Sequence, residues 1–471
     1  MDKKLKIAII YSPTNLKLWY YVPEGMARLS AYLKQRGFDV KQINLDIKCL
    51  YYNLINKDKI EANIFSEENF HDYMQTGTGP ISLSIDKMLN LFNIDGVGLI
   101  CFSLMYLPQL YLALCLAKKI KERTSAKIIF GGAFISRHVT SFLRNYNFID
   151  FIIQGSGEIS LSILAEMIDK DKINEKEVPG LVYRKGGDIR INSKKICLLE
   201  ELPTPDYDGT IKEYLYTNRI KNNKKKIFIA YQISRGCTHK CRFCDHALFE
   251  TIEFRSPEKI VSDLKEITLK YGVKKFWFGC NSLNLNKKHM INICKAIIHS
   301  DIDIKWVSFA RPQNIDFETL LLLKKAGCEK LNYGIETGSQ RLLDYLNKNL
   351  SISEMEKTLK DTKKADIHTM VNLILDIPTE TRQDIEQTAN FIKRNAENID
   401  TLIFHKFLYL PHTSIFQTDG GTQKGGAYIK PSKNVNEIKK LFNIARKIKN
   451  IQLVGNFNEF FNDDHYNYWM C

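Results

Sequence analysis

Residues Ile227–Asp245 read IFIAYQISRGCTHKCRFCD. The first half is a short β-branched and aromatic run that suits a buried strand, and the second half crowds Cys237, Cys241 and Cys244 onto the loop that follows. Strand-like runs recur at 273–279, 303–309, 328–336, 368–376 and 400–410, separated by helical stretches at 257–270, 286–299, 316–325, 339–365 and 380–394. Regular alternation of this kind predicts parallel strands joined by crossover helices. Six units are too few to close an eight-stranded barrel. An open, partial (β/α)6 TIM-like barrel is therefore expected over 226–415, with ligands at the carboxyl ends of its strands.

Upstream, residues 1–185 alternate in the same way, with strands expected at Lys6–Tyr11, Asp39–Asn44, Gly96–Phe102, Lys127–Phe130 and Phe148–Ile153. Between the first two, Met26, Leu29, Ser30 and Leu33 fall on one helical face, and Leu107–Arg123 carries a similar stripe. The whole is therefore an α/β chain that opens with a doubly wound, Rossmann-like domain. Residues 45–94 interrupt that domain as a helical insertion, and 186–225, polar and carrying Pro203 and Pro205, read as a linker. Beyond 415 come a Gly-rich loop at Gly420–Gly426, one helix at 434–448 and an aromatic tail ending HYNYWMC, a small helical C-terminal region over 416–471.

With 471 residues and 44% hydrophobic side chains, the chain can build two or three cores. Lys and Arg number 68 against 53 Asp and Glu, a net +15. The densest basic run, Arg219–Lys226, stands alone without a nucleic-acid-binding motif, so it reads as a solvated linker and nucleic acid is not an expected partner. No apolar run reaches the roughly 18 residues of a membrane span, and the start is charged and then strand-like, so a cytoplasmic protein is expected. Eleven cysteines, an odd number without an export signal, predict free thiols. Eight are isolated: Cys49, Cys101, Cys115, Cys197, Cys280, Cys294, Cys328 and Cys471 read as small buried hydrophobes, the last excepted by position.

Three thiolates on one short loop suit iron or zinc. A structural zinc needs a fourth ligand, and neither His239 nor His246 completes a finger-type pair. A cubane held by three cysteines keeps one iron free of protein ligands. The CxxxCxxC spacing resembles the signature of the radical S-adenosylmethionine (radical SAM) superfamily, whose 4Fe-4S cluster binds the amino and carboxylate groups of S-adenosylmethionine at that open iron. Electron transfer then releases methionine and a 5'-deoxyadenosyl radical. The resemblance makes Cys237, Cys241 and Cys244 the cluster ligands and catalytic centre, and sets Phe243 against the adenine.

Further matches fall at the expected strand ends. LNYGIETGSQRLL (Leu331–Leu343) resembles the family's fourth-strand segment, which assigns Glu336 to the ribose hydroxyls through a bidentate contact. WVSFARPQNID (Trp306–Asp316) resembles the third, where Ser308 or Arg311 would meet the carboxylate, with guanidinium geometry favouring Arg311. FGCNSL (Phe278–Leu283) stands where the family meets the amino group, which nominates Gly279 and Asn281. MVNLILDIPTET (Met370–Thr381) resembles the fifth strand beside the adenine, although Asp376 and Thr379 replace the usual glycines.

A doubly wound domain ahead of such a barrel resembles the cobalamin-binding domain of one class of these enzymes. Ser103, Gly131, Gly132 and Gly155–Glu158, including Gly157, would then lie around the cofactor at the sheet's carboxyl edge. The DxHxxG motif that supplies a histidine to cobalt is absent, since the loop after the first strand reads YSPTNLKLWYY. The function implied is a cobalamin-dependent radical SAM enzyme that methylates an unactivated carbon of a small molecule or peptide, an anionic one being favoured by the net charge. It implies a one-electron reductant such as flavodoxin or ferredoxin. Rearrangement, cyclisation or ring contraction without methyl transfer is the alternative outcome of the same radical, and a non-catalytic metal-binding protein is the alternative in kind. In the tail, Tyr466, Tyr468 and Cys471 either cap a substrate or simply pack on the barrel, with packing favoured.

Overall fold

A computed structural model describes residues 4–13, 21–61, 67–105, 108–137, 139–220, 227–244, 251–410, 413–419, 422–424, 427–429, 432–455 and 457. The middle of the YSPTNLKLWYY loop, most of the basic run, His246, much of the Gly-rich loop and the aromatic tail with Tyr466, Tyr468 and Cys471 lie outside them. The chain divides into two compact units, Met1–Ile229 with Leu269–Val273, and Ala230–Thr268 with Lys274–Cys471.

In the first unit, β1 (Lys6–Tyr11), β2 (Asp39–Asn44), β3 (Leu99–Ser103), β4 (Lys127–Gly131) and β5 (Phe151–Ile153) form a parallel sheet in the order β2-β1-β3-β4-β5. The chain changes winding direction between β1 and β3, where Tyr11 pairs with Ser103, and a crevice opens at such a point in doubly wound sheets. One face is covered by α1 (Glu24–Gln35) and α7 (Gly157–Asp169). Met26, Leu33, Leu161 and Leu164 are buried there on Ile7, Ile9 and Cys101. The 45–94 insertion is helical, with α2 (Leu45–Ile55), α3 (Glu67–Thr76) and α4 (Pro80–Leu89), and α5 (Pro108–Arg123) and α6 (Val139–Asn145) follow.

The stretch 186–225, expected as a linker, carries two elements. β6 (Leu181–Lys185) and β7 (Asp188–Ile191) form an antiparallel hairpin on the sheet edge, and α8 spans Ile211–Ile220. The hairpin signal is local: Gly186 and Gly187 both take positive φ, which a two-residue turn between twisted strands demands.

In the second unit the barrel sheet runs in chain order through β8 (Phe228–Gln232, its last three residues in this unit), β9 (Lys275–Gly279), β10 (Lys305–Ala310), β11 (Cys328–Glu336), β12 (His368–Leu375) and β13 (Thr401–Lys406). Pairing from β9 to β13 is parallel throughout, and β14 (Gln452–Val454) adds a further parallel strand beside β13 that is too short to stand out in the sequence. Helices α9 (Pro257–Tyr271), α10 (Lys287–His299), α11 (Phe317–Lys325) and α14 (Arg382–Arg394) lie where expected, and α15 (Ser414–Asp419) and α16 (Val435–Lys447) follow. Their starts are set by side-chain caps, Asn286 for α10, Asp316 for α11 and the Thr381–Asp384 capping box for α14.

The stretch 339–365, expected as one helix, is two: α12 (Gln340–Tyr345) and α13 (Ile352–Lys364). Asn347 and Asn349 both adopt left-handed backbone between them, a conformation Asn tolerates and a helix cannot contain. Ser351 then caps α13. The break fixes Lys348, whose N–H donates to Leu343 O at 2.9 Å.

Candidate active site

The cysteine loop is held from below by packing. Cys241 and Phe243 are buried against Leu342, Leu346, Ile374, Phe407 and Ile415. Backbone bonds from Arg242 N to Leu346 O (2.9 Å) and from Ile415 N to Arg242 O (3.3 Å) fix its height over the barrel. The loop enters through Gly236, whose φ of 79 and whose proximity to Thr251 O, 2.3 Å from where a Cβ would stand, exclude any side chain. Of the three cysteines Cys241 is buried and the other two are half-buried. Burial raises the Cys237 thiol, the neighbouring Cys241 adds to the rise, and Arg311 and Lys348 oppose it. Among the described residues no three Cys, His, Asp or Glu side chains are grouped as a ready-made cage for one metal ion.

Around this loop the structure brings together Arg311, Glu336 and Lys348. Arg311 sits just past β10, its backbone locked by Asn284, which accepts from Arg311 N at 2.9 Å and donates to Arg311 O at 3.0 Å. Its Nη1 lies 3.7 Å from Cys241 Sγ, its Nη2 donates to Lys348 O, and its Nε is buried without a partner. Glu336, the last residue of β11, has a φ of 67 after a register shift between Gly334 and Glu336. Its Oε1 accepts from Lys348 Nζ at 2.6 Å, both groups are buried, and Oε2 has no partner. Lys348 Nζ also lies 5.7 Å over the Phe243 ring. His239, on the cysteine loop, is pushed down to about 4 by burial, with Arg311 and Lys348 adding to the fall, and is neutral near pH 7.

The other residues nominated from the sequence divide. Asn281 Nδ2 is buried without a partner, and Gly279 lies close against β8, where a Cβ would stand 3.4 Å from Gln232 Cα. Ser308 is fully buried and donates to Phe278 O at 2.9 Å, with Cys280 Sγ at 3.2 Å. Cys280 correspondingly is half-buried rather than a plain core residue. On the fifth-strand turn, Asp376 takes a φ of 68, the backbone the family's glycine would adopt. Its N–H donates at 2.6 Å to Glu380 Oε2, and burial lifts the Glu380 carboxyl to about 8.

In the first unit, Ser103 is half-buried at the end of β3, and Gly155 has a φ of 89 with only the Lys194 side chain near its missing Cβ. Gly131 and Gly132 follow β4, where a Cβ on Gly132 would stand 2.3 Å from Leu104 O, so that glycine serves the contact between two loops. Glu158 is buried and accepts from Arg28 Nε at 2.6 Å, which ties α7 to α1. Gly157 opens α7 against Leu29. Ser12, fully buried past β1, keeps an unpartnered hydroxyl that the sequence does not single out.

Lys348 and Asn284 also escape a reading of the sequence. One is a lysine among many in an apparent helix, the other an asparagine whose importance is visible only once it clamps Arg311. No local signal marks either.

The model of the Radical SAM superfamily matches residues 231–392, which span the cysteine loop and the strand ends around it. Residues 231–392 form a radical SAM domain. Domains of this superfamily work with a 4Fe-4S cluster and S-adenosylmethionine. The chain is 28% identical over 315 residues to an uncharacterised methyltransferase of Pyrococcus horikoshii, covering 66% of each chain. It is 26% identical over 293 residues to an anaerobic magnesium-protoporphyrin IX monomethyl ester cyclase of Cereibacter sphaeroides, covering 60% of this chain and 47% of the cyclase. These matches thus span roughly half to two thirds of the relatives' length. In fold it is similar to the radical S-adenosylmethionine methyltransferase TsrM of Kitasatospora setae, solved with cobalamin and a [4Fe-4S] cluster, at a TM-score of 0.65 and 16% identity over 88% of this chain and 74% of that one. Among the described residues no helix is long and apolar enough to cross a membrane.

Proposed function

We propose that this protein is a cobalamin-dependent radical SAM enzyme that methylates an unactivated carbon of its substrate. The observation that carries the reading is the pair of buried polar atoms without partners beside the cysteine loop, Arg311 Nε and Glu336 Oε2. A folded protein leaves such atoms unsatisfied where a polar ligand completes them. Three cysteines from one loop fit a cubane with one open iron, because its irons stand at separate corners and the thiolates need not converge on a point.

In this reading Cys237, Cys241 and Cys244 would hold the cluster, which would supply one electron for cleaving the sulfonium to methionine and a 5'-deoxyadenosyl radical. Arg311 presents a cation for the carboxylate of S-adenosylmethionine, and Asn281 would accept from the amino end through its amide oxygen. Phe243 offers a ring for the adenine, and Glu336 Oε2 accepts from the ribose.

Cobalamin, supplying the methyl group, is assigned to the carboxyl edge of the first unit's sheet. The crevice between β1 and β3, the unpartnered Ser12 hydroxyl and the open Gly155 turn support that assignment. The loop after β1 holds no histidine, so it supplies no imidazole to cobalt. A small molecule or peptide would be the substrate, and a flavodoxin or ferredoxin the reductant.

Protein reconstituted anaerobically with iron, sulfide and hydroxocobalamin, then given S-adenosylmethionine, reductant and candidate substrates, tests the reading. Methyl transfer yields S-adenosylhomocysteine alongside 5'-deoxyadenosine. Deoxyadenosine with product but no S-adenosylhomocysteine would assign the chain to the cyclising chemistry named for its Cereibacter relative. A protein that binds no cluster would defeat both.

A further inference from the structure

Assigning Glu336 to the ribose leaves open how a carboxylate already paired with a lysine receives two hydroxyls. The structure shows a pair that is built in. β11 keeps a glycine beneath it: a Cβ on Gly334 would stand 2.5 Å from Glu336 Oε1 and 3.2 Å from Lys348 Nζ. The register shift after Gly334 and the left-handed backbone of Glu336 place the carboxylate over that gap. Lys348 in turn is fixed between two left-handed asparagines, with its N–H on Leu343 O and its own carbonyl accepting from Arg311. Asn347 Nδ2 donates to Lys240 O at 2.8 Å, which fastens the same turn to the cysteine loop.

Resting on the assignment of Glu336 to the ribose, we infer that Lys348 is a positioning residue for S-adenosylmethionine, one that occupies Glu336 Oε1 permanently and so presents a single oxygen, Oε2, to a single ribose hydroxyl. A free carboxylate would rotate and accept from both hydroxyls. The clamped one cannot turn without breaking a buried charge pair. The same turn carries the Arg311 contact and the link to Lys240, so the ribose and carboxylate ends of the cosubstrate are set by one short segment, Leu346–Leu350. Gly334 is needed because any side chain there would push the pair out of register with the thiolates.

The test uses the full chain with its cluster reconstituted and kept oxidised, so that no cleavage occurs. Binding of S-adenosylmethionine and of its 2'-deoxy and 3'-deoxy analogues is measured by equilibrium dialysis. A single-oxygen contact makes the two analogues unequal: one loses about tenfold or more in affinity, as expected for a hydrogen bond to a charged acceptor, and the other changes little. Lys348→Met frees Glu336 and abolishes the inequality, and Lys348→Arg retains it. Equal losses for both analogues in the unaltered protein overturn the inference without touching the radical SAM reading, and need no variant to fold. An inequality that survives Lys348→Met also overturns it. A clustered protein that binds no S-adenosylmethionine sinks this inference and the assignment of Glu336 together.

Discussion

Two charge pairs are buried in the second unit, and they are built to opposite ends. Arg255 Nη1 donates to Asp263 Oδ2 (2.8 Å) and to Tyr231 OH (2.8 Å), Tyr231 OH donates to the same oxygen (2.7 Å), and Lys259 Nζ holds Oδ1 at 2.6 Å. Both oxygens of Asp263 are used, so the group ties α9 to β8 and the chain entering α9. Glu336 and Lys348 are equally hidden, yet one carboxylate oxygen is empty and the strand beneath gives up a side chain to make room. Burial alone does not separate a structural pair from a binding one. Completion does, because a desolvated acceptor without a donor is costly unless a ligand supplies one.

The largest effect that sharpens this contrast is expected from Asp263→Ala. It strands a fully buried guanidinium and should lower unfolding free energy by about 3–5 kcal/mol in a denaturant titration. The dissociation constant of the folded holoprotein for S-adenosylmethionine should nevertheless stay unchanged; a matching loss of affinity would erase the distinction. Glu336→Gln should do the reverse, weakening S-adenosylmethionine binding about 10- to 100-fold while costing less stability than the Asp263 change. If its melting temperature fell further than that of Asp263→Ala, the pair would be structural after all. Gly334→Ala is smaller: overpacking under the pair should cost about 1–3 kcal/mol, with a rise in the dissociation constant that a change elsewhere on β11 does not produce.

The smallest effect concerns Glu380, a third hidden acid, on the fifth-strand turn. Its folded carboxyl is raised from 4.5 to about 8, so the folded state holds a proton the unfolded state has released. The stability this contributes is complete below about pH 4.5 and declines as pH rises toward 8. Relative to Glu380→Gln, the native protein should therefore lose about 1–2 kcal/mol from mildly acidic to mildly alkaline pH. Parallel stability profiles for the two proteins would contradict the burial argument.

Most of the architecture is legible in the sequence because it depends on pattern. Six barrel strands follow from alternation of apolar runs, each within a few residues of its expected place, and so do their helices apart from the one that is split. The cysteine loop is legible from spacing alone. What escapes depends on contacts between distant residues or on single backbone angles. The split between α12 and α13 rests on two asparagines that turn left-handed inside a good helical stripe, and Lys348 is hidden in that split. The bonds of Ser308 to Phe278 O and of Glu158 to Arg28 join residues far apart in the chain and leave no local mark. The hairpin at 181–191 is signalled by its Gly-Gly turn and masked by the polar residues that flank it.

The most direct test of the central claim, that Cys237, Cys241 and Cys244 hold a cluster with an iron open to S-adenosylmethionine, is electron paramagnetic resonance of the anaerobically reconstituted, reduced protein. The account predicts the signal of a reduced 4Fe-4S cluster whose g values shift when S-adenosylmethionine is added, and the loss of that signal in Cys241→Ala. A protein that takes up zinc but no iron and sulfide, or a cluster signal indifferent to S-adenosylmethionine, would contradict it.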